Sequence, residues 1–273
     1  MKRISILGSG WLGLPLAIEL QQLGYQVKAS SRSEARLAQI ITAGISANLF
    51  DIESSEQNLS FLQADVLIIN ITSKNVEAFE RLITQIENSP IQKVLFISST
   101  SVYKDSFDAN APAITETDFH TLKPCPLLTI EELFQNSSQF ETSIIRFAGL
   151  IGYQRHPGRF FAKQQENGSI ICKAIKNPEA RVNMIHRDDC IGIIKELIQK
   201  SLWGEVFNGC SIHHPTRREF YTQAVLDFLG QETVTMNFID SKQTDHKVIA
   251  NDKVMNLLSY QFIHNNLFDI NYD

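Results

Sequence analysis

The sequence has few cysteines and no long apolar run. Four cysteines are spread over 273 residues, and no two of them form a C-x-x-C pair. This spacing argues against a disulfide framework and fits a reducing compartment, in which each cysteine is a small buried apolar residue. No apolar run approaches the ~20 residues that a membrane-spanning helix needs. We therefore expect a cytoplasmic protein with no membrane partner.

Basic charge is also scarce. The chain has 25 Lys and Arg against 30 Asp and Glu, which gives a net charge of −5. No cluster of Lys or Arg stands out, so we expect no nucleic-acid partner. Lys2 and Arg3 precede an apolar stretch, as in a secretory signal, but Ser9, three glycines and Glu19 interrupt it. We expect no signal peptide.

Short β-branched runs alternate with amphipathic stretches through the first half of the chain. Strands are predicted at 4–7, 25–29, 65–70 and 93–98, and helices from residue 13 onward, at 34–43 and at 76–88. In the first helix, Leu16, Leu20 and Leu23 are predicted to share the buried face. Near-continuous apolar strands are typical of a parallel sheet covered on both faces. The alternation predicts a doubly wound parallel sheet, the α/β fold of the Rossmann type.

The pattern loosens after residue 104. It still predicts a strand at 142–147, a Gly-, Arg- and His-rich loop at 149–168, helices at 188–200 and 218–229, and a strand at 205–208. We expect a Rossmann domain over residues 1–150 and a small C-terminal cap on the substrate side over 151–273, with a cleft between them. Residues 186–210 are predicted to return to the Rossmann sheet.

A glycine motif follows the first predicted strand directly and opens the first predicted helix. Its residues are Gly8, Ser9, Gly10, Trp11, Leu12 and Gly13. In this setting the first glycine permits a tight turn, the second lets the backbone approach a pyrophosphate, and the third lets helix and strand pack closely. Free N–H groups and the helix dipole then favour the phosphates. The motif predicts that the chain binds a nicotinamide dinucleotide.

The end of the second strand lacks the carboxylate that usually binds the ribose 2′-hydroxyl of NAD. Ser31 and Arg32 stand there instead, and a guanidinium suits a 2′-phosphate. NADP is therefore the predicted cofactor, with NAD left open. A further, shorter strand is predicted to lead to Asp51, which can accept a hydrogen bond from the adenine amino group or cap a turn.

Three further segments resemble one protein family. They are FISSTSVY at 96–103, RFAGLIG at 146–152 and VNMIHRDD at 182–189. Together with the glycine motif they resemble the extended, epimerase/dehydratase-like branch of the short-chain dehydrogenase/reductase superfamily. With RHPGRFF at 155–161, the set is most similar to the YeeZ-like group of that branch. The resemblance implies that Ser99 hydrogen-bonds the substrate, that Thr100 lies beside it, and that Asn183 lines the substrate cleft.

The chain departs from the family at its acid/base pair. Members of the superfamily carry Tyr-x-x-x-Lys on a helix after the serine segment, in which the tyrosine transfers a proton. Matching the downstream Glu131-Glu132-Leu133 to the family pattern places Pro126 at the tyrosine position and Ile130 at the lysine position. Neither side chain exchanges a proton, so the usual mechanism is not available.

Several replacements for the missing pair stay open. Cys125 can donate a proton as a thiol or be inert, and Glu116 and Lys123 can act near the cleft or be solvated loop charges. Tyr103 follows Ser99 by four residues, although the family uses this position for packing. His186 can form an acid/base pair with Asp188 or Asp189, although a helix N-cap explains Asp188 without chemistry.

The loop at 155–159 is the predicted contact for an anionic substrate. Arg155, His156 and Arg159 can bind a phosphate or carboxylate, and the alternative is a charged surface loop. His213 and His214 lack a second ligand pair at metal spacing, so we expect no metal.

The sequence supports two hypotheses. One is a reductase- or epimerase-like enzyme that uses NADP and acts on an anionic or nucleotide-linked small molecule. The alternative is a non-catalytic protein that binds NADP as a sensor. The oligomeric state stays open, with a homodimer among the options.

Overall fold

The buried apolar runs of the sequence form one large sheet. The computed structural model describes residues 2–54, 58–164 and 170–272. Within these residues seven strands pair in parallel, in the order β3-β2-β1-β4-β5-β6-β12. They are β1 (Arg3–Leu7), β2 (Gln26–Ser31), β3 (Ser46–Leu49), β4 (Val66–Ile69), β5 (Lys93–Ser99), β6 (Glu141–Phe147) and β12 (Val206–Gly209). This is the strand order of a Rossmann fold, so the doubly wound α/β prediction is confirmed.

Helices follow most of the predicted amphipathic stretches. They are α1 (Gly13–Gln22), α2 (Glu34–Thr42), α3 (Val76–Glu87), α4 (Pro126–Asn136), α5 (Arg187–Lys200), α6 (Arg217–Leu229) and α7 (Asp252–Leu257). Leu16 and Leu20 of α1 are fully buried, but Leu23 is 43% exposed because the helix ends one residue before it. The prediction that Leu23 shares the buried face is therefore wrong. No helix of the described residues is long and apolar enough to cross a bilayer.

The chain divides into two units that interleave along the sequence. The first unit contains residues 1–102, 123–146 and 191–207, and the second contains 103–122, 147–190 and 208–273. A single boundary near residue 150 therefore does not describe the chain. The reason lies in the sheet, because β12 joins it next to β6 and brings part of the 186–210 segment into the first unit.

The second unit contains short strands that the sequence pattern did not predict. They are β7 (Gly149–Ile151), β8 (Ala162–Gln164), β9 (Ile170–Cys172), β10 (Ile175–Lys176), β11 (Met184–His186) and β13 (Phe238–Ile239). β7 pairs with β11, β8 with β9, and β10 with β13. The predicted loop at 149–168 thus contains β7, a 3-10 turn at Pro157–Phe160 and β8, and residues 165–168 lie outside the described residues.

Aromatic packing anchors α4 to the core of the first unit. Phe134 of α4 stacks on Phe96 of β5 with ring centroids 5.3 Å apart. Both rings meet Phe79 of α3 edge-on, with centroids 5.9 Å from it. Ile130, one turn earlier in α4, is fully buried in the same cluster. This burial, rather than any clear sequence period, fixes the helix that the pattern missed.

A buried ion pair joins α4 to β6 in the same unit. Arg146 Nη2 lies 2.6 Å from Glu131 Oε2, and the two side chains are 4% and 0% exposed. Arg146 Nε also donates to this carboxylate, and the Ser98 hydroxyl donates to its Oε1 atom. A buried carboxylate with these three donors is satisfied, but loss of one charge would leave the other uncompensated.

We predict that Glu131→Ala lowers the free energy of unfolding by about 3–5 kcal/mol, because it strands the Arg146 charge in the core. Urea unfolding followed by circular dichroism measures this change. The matched control is Lys195→Ala, which breaks the half-exposed ion pair of Lys195 with Glu19 and should cost less than about 1 kcal/mol. Equal losses in the two variants would contradict the prediction.

Candidate functional site

The glycine motif forms a turn held by the ends of two strands. Gly8 has a φ of +97°, a left-handed conformation that side chains disfavour. Its N–H donates to Ser30 Oγ at 3.3 Å, and its carbonyl accepts from Asn70 Nδ2 at 3.2 Å. Ser9 N–H donates to the Ser30 carbonyl at 3.0 Å. The carboxyl ends of β2 and β4 therefore fix the turn between β1 and α1.

The other two glycines of the motif have different surroundings. A Cβ on Gly13 would lie 2.0 Å from the Gly8 carbonyl oxygen, so only glycine lets α1 begin this close to β1. A Cβ on Gly10 would meet nothing within 4 Å. Packing therefore explains why residue 13 is a glycine, but it does not explain the glycine at position 10. The Gly10 backbone faces open space, which the close approach of a pyrophosphate requires.

Two further features of the turn fit a phosphate ligand. The Ser9 side chain is 2% exposed, and its hydroxyl has no hydrogen-bond partner among the described residues. No side chain caps the start of α1, where Leu12 is the N-cap residue and is itself buried. Trp11, the remaining member of the motif, is half-buried. An unsatisfied hydroxyl and uncapped N–H groups are donors that suit the oxygens of a dinucleotide.

A cavity of about 840 Å³ opens beside this turn within the first unit. Ser31 and Arg32 line it, together with Ser33 and Arg36 at the start of α2. Ser31 Oγ accepts from Ser33 N–H at 3.1 Å, and Arg36 Nη1 donates to Gln39 at 2.6 Å. Arg32 is exposed and has no ion-pair partner among the described residues. Its guanidinium is available to an anion in the cavity.

Asp51 also lines this cavity, after the end of β3. Its Oδ1 atom accepts a hydrogen bond from the Glu53 N–H at 3.0 Å. Asp51 therefore caps a turn, which is one of the two roles predicted for it. The side chain is half-buried at the cavity wall. The adenine contact stays a prediction.

The serine segment divides into a buried and a half-buried side chain at the end of β5. Ser98 is 7% exposed and binds Glu131, whereas Ser99 is half-buried and its hydroxyl accepts from Ser101 N–H at 3.1 Å. Thr100 begins a 3-10 turn and is 9% exposed. The substrate roles of Ser99 and Thr100 stay predictions.

The two positions at which the family carries its acid/base pair lie in the first half of α4. Pro126 is the first residue of the helix, and Ile130 is fully buried in the apolar core. Tyr103, the first substitute considered, is also fully buried, and its hydroxyl donates to Asn208 Oδ1 at 2.8 Å. This burial favours packing over proton transfer for Tyr103.

In the predicted anion-binding loop at 155–159, the histidine contacts the protein itself. His156 Nδ1 accepts from Gly158 N–H at 3.0 Å, and its ring lies 4.2 Å from that of Tyr272. A Cβ on Gly158 would lie 2.2 Å from the Ala224 carbonyl, so the turn packs closely on α6. Arg155 and Arg159 are exposed. The arginines are accessible to an anion, while His156 has a local structural role.

Asn183 has a structural role as well. Its Nδ2 atom donates to the Lys247 carbonyl at 2.8 Å, and its Oδ1 accepts from Ile249 N–H at 3.0 Å. Both ends of the amide thus tie β11 to the 247–249 segment. These contacts give a reason for the asparagine that needs no substrate.

Four histidines of the second unit form two pairs with different surroundings. His213 Nδ1 accepts from Leu267 N–H at 3.2 Å, and His214 Nδ1 lies 3.3 Å from the Val182 carbonyl, so both serve the backbone. His186 and His264 instead converge on Asp188, with one ligand atom from each residue within 4.8 Å of the others.

Sequence reasoning missed His264, which is remote in sequence from the H-x-D pair at 186–188. The expected N-cap role of Asp188 is not seen either. Its carboxylate accepts from the Tyr153 hydroxyl at 2.8 Å, and Asp189 binds the backbone of the 263–264 segment.

The four cysteines are free. Cys190 and Cys210 are buried, and burial raises the pKa of both thiols above the ordinary value. A protonated thiol in an apolar site is inert. Cys125 and Cys172 are only half-buried, so the expectation that each cysteine is a buried residue is wrong for these two.

The comparisons with known proteins agree with this geometry. Residues 3–124 match the model of the NAD-binding domain of 6-phosphogluconate dehydrogenase. Fold and glycine turn thus define a Rossmann-type dinucleotide-binding protein. The chain is 31% identical over 276 residues to protein YeeZ of Escherichia coli K12, with 96% of each chain covered. It therefore belongs to the YeeZ family, which confirms the resemblance.

Solved structures support the same fold. A conserved protein of unknown function from Silicibacter pomeroyi superposes with a TM-score of 0.77 at 18% identity, covering 98% of this chain and 96% of that one. UDP-glucuronic acid 4-epimerase of Bacillus cereus, in complex with UDP-glucuronic acid and NAD, gives a TM-score of 0.75 at 18% identity, with coverage of 98% and 96%. At these identities the likeness establishes a shared fold and nothing further.

We predict that the two glycines respond differently to alanine. Gly13→Ala should lower the free energy of unfolding by about 1–3 kcal/mol, since its Cβ meets backbone. Gly10→Ala should change folding stability by less than about 0.5 kcal/mol, but should weaken dinucleotide binding at least about tenfold. Urea unfolding and fluorescence titration with NADPH separate the two effects. Wild-type affinity in Gly10→Ala would contradict this reading of the turn.

Proposed function

We propose that this chain is an NADP-dependent oxidoreductase of the epimerase/dehydratase type. The observation that carries the proposal is the open space above Gly10, beside a cavity lined by Arg32, which has no ion-pair partner among the described residues. In this proposal the glycine turn holds the pyrophosphate through Ser9 and the first N–H groups of α1. The nicotinamide ring supplies or accepts a hydride when it is bound.

The preference for NADP over NAD rests on the end of β2. Ser31 and Arg32 stand where a carboxylate would bind a 2′-hydroxyl, and Arg36 adds a second guanidinium to the cavity lining. A planar guanidinium can donate two parallel hydrogen bonds to a phosphate. Asp51 and Glu53 line the same cavity, and their negative charges repel a phosphate. The preference for NADP over NAD therefore depends on direct contact between Arg32 and the 2′-phosphate.

We predict that Arg32→Ala weakens NADP binding by about 10–100-fold and leaves NAD binding within about twofold, because only NADP carries the 2′-phosphate. Isothermal titration calorimetry with both dinucleotides measures the ratio. Arg81→Ala, at an exposed arginine of α3, is the matched control and should bind both as wild type does. If Arg32→Ala weakens both dinucleotides equally, the arginine does not select NADP.

The substrate in this proposal is an anionic small molecule, with nucleotide-linked sugars as the first class to test. Support comes from the exposed Arg155 and Arg159, which can bind a phosphate or carboxylate. The structural likeness to an epimerase that holds UDP-glucuronic acid adds an analogy of fold. Ser99, half-buried at the end of β5, orients the reacting hydroxyl or carbonyl.

A second candidate function follows from α4. Pro126 and Ile130 offer no group that exchanges a proton, and Ile130 is fully buried. These positions favour a protein that binds NADP without turnover and senses its presence. Hydride chemistry at the bound cofactor distinguishes the enzyme from the sensor.

We predict turnover of at least one member of a panel of sugar nucleotides, sugar phosphates and aldehydes. A net reduction transfers deuterium from C4-deuterated NADPH to the product, whereas an epimerisation or dehydration with the oxidised cofactor returns the substrate's own hydride and is followed as the altered product. Ser99→Ala should lower this rate about 10²–10⁴-fold if its hydroxyl assists the reacting group. Ser101→Ala, at an exposed neighbour, is the control and should retain the rate. Tight NADPH binding with neither deuterium transfer nor an altered product across the panel would favour the sensor over the enzyme.

A further inference from the structure

A cluster of two histidines and one carboxylate lies in the second unit and shares no residue with the proposed function. His186 ends β11, Asp188 lies in the first turn of α5, and His264 belongs to the C-terminal segment. His186 Nδ1 and His264 Nε2 each lie 3.4 Å from Asp188 Oδ2. The three atoms lie within 4.8 Å of one another, and no other such group of three occurs in the part of the chain that was described.

The position of His186 is fixed by a glycine. A Cβ on Gly152 would lie 2.5 Å from His186 Nε2, and Gly152 has a φ of +127°. The ring is therefore packed against bare backbone on its Nε2 side, and that nitrogen is buried with no hydrogen-bond partner in the described parts of the chain. The other nitrogen, Nδ1, is the one that faces Asp188.

Asp189 and Tyr153 hold the other two members. The buried Asp189 carboxylate accepts from Ile263 N–H at 2.7 Å, from His264 N–H at 3.2 Å and from the Tyr260 hydroxyl at 2.9 Å. These bonds anchor the backbone that carries His264. The Tyr153 hydroxyl donates to Asp188 Oδ2 at 2.8 Å and so orients the carboxylate, as the outer partners of metal ligands do.

The cluster is poorly suited to extra protons. The two imidazole rings have centroids 3.8 Å apart, so two protonated rings would repel each other. A neutral imidazole has the lone pair that a metal ion requires.

We propose that His186 Nδ1, Asp188 Oδ2 and His264 Nε2 bind one divalent transition-metal ion, with zinc as the principal occupant. Two imidazole nitrogens and a carboxylate oxygen form a donor set that zinc accepts. Zinc bonds of ~2.0–2.1 Å in tetrahedral geometry place neighbouring ligand atoms roughly 3.3 Å apart, close to the two contacts with Asp188. Three protein ligands leave the fourth position to water or a small ligand.

Two local contacts oppose binding of the ion. Asp188 N–H donates to His186 Nδ1 at 3.2 Å, a long hydrogen bond that a metal would replace. The Arg187 guanidinium lies 4.1 Å from the centre of the Tyr153 ring and opposes a second cation nearby. Affinity therefore has to come from the three ligands themselves.

Metal-free full-length protein, prepared by dialysis against a chelator, is titrated with Zn²⁺ by calorimetry and with Co²⁺ by visible absorption. We expect one Zn²⁺ per chain with micromolar affinity or better, and d–d bands of Co²⁺ that report nitrogen and oxygen ligands. His264→Ala and the isosteric Asp188→Asn should each lose more than the 10–100-fold that removal of an outer partner costs. Tyr153→Phe should fall within that 10–100-fold range.

The control is His120→Ala, which removes an exposed histidine outside the cluster and should bind as wild type does. Circular dichroism verifies that each variant is folded. If His264→Ala does not fold, the zinc affinity of Asp188→Asn tests the proposal. Absence of saturable binding at millimolar Zn²⁺, or equal affinity in wild type and Asp188→Asn, would overturn the proposal. NADPH titration of the same variants should be unchanged, so failure here is distinguishable from failure of the proposed function.

Discussion

The close approach of α1 to the end of β1 is the constraint on which the nucleotide site depends. Gly13 lies so near the Gly8 carbonyl that any side chain would overlap backbone. Because the helix begins there, its first N–H groups stand at the carboxyl end of the sheet, next to the cavity. Ser30 and Asn70, from the strands on either side, then hold the turn with side-chain hydrogen bonds. The site is thus a consequence of how tightly helix and strand pack.

The first half of the fold could be predicted from the sequence, because its strands are short buried apolar runs between turn residues. Predicted and observed bounds of β5 and α3 differ by a single residue at the C-terminal end. The pattern failed at α4, whose Ile130 and Phe134 pack on aromatic rings contributed by other elements. It failed again in the second unit, where strands of two or three residues carry no period.

The candidate site residues also divide into those that the sequence could predict and those that it could not. The glycine turn and the end of β2 could be predicted, because a single segment contains each set of residues. His264 could not, since its approach to His186 depends on the backbone contacts of Asp189. His156 and Asn183 show a different limit, because a residue type that can bind a ligand can equally satisfy the backbone. Their bonds to Gly158, Lys247 and Ile249 exist only in the folded chain.

The paired serines at the end of β5 show how one segment serves both stability and chemistry. Successive side chains of a strand point to opposite faces, so Ser98 and Ser99 cannot share a role. Ser98 faces Glu131, whose charge is balanced by Arg146 in the core. That arrangement commits one serine to the ion pair and leaves the half-buried Ser99 on the other face. Since α4 contributes Glu131 to this network and Ile130 to the apolar core, its middle is used for folding. In the proposed reaction a proton donor would therefore come from another element, and the role of Ser99 stays a prediction.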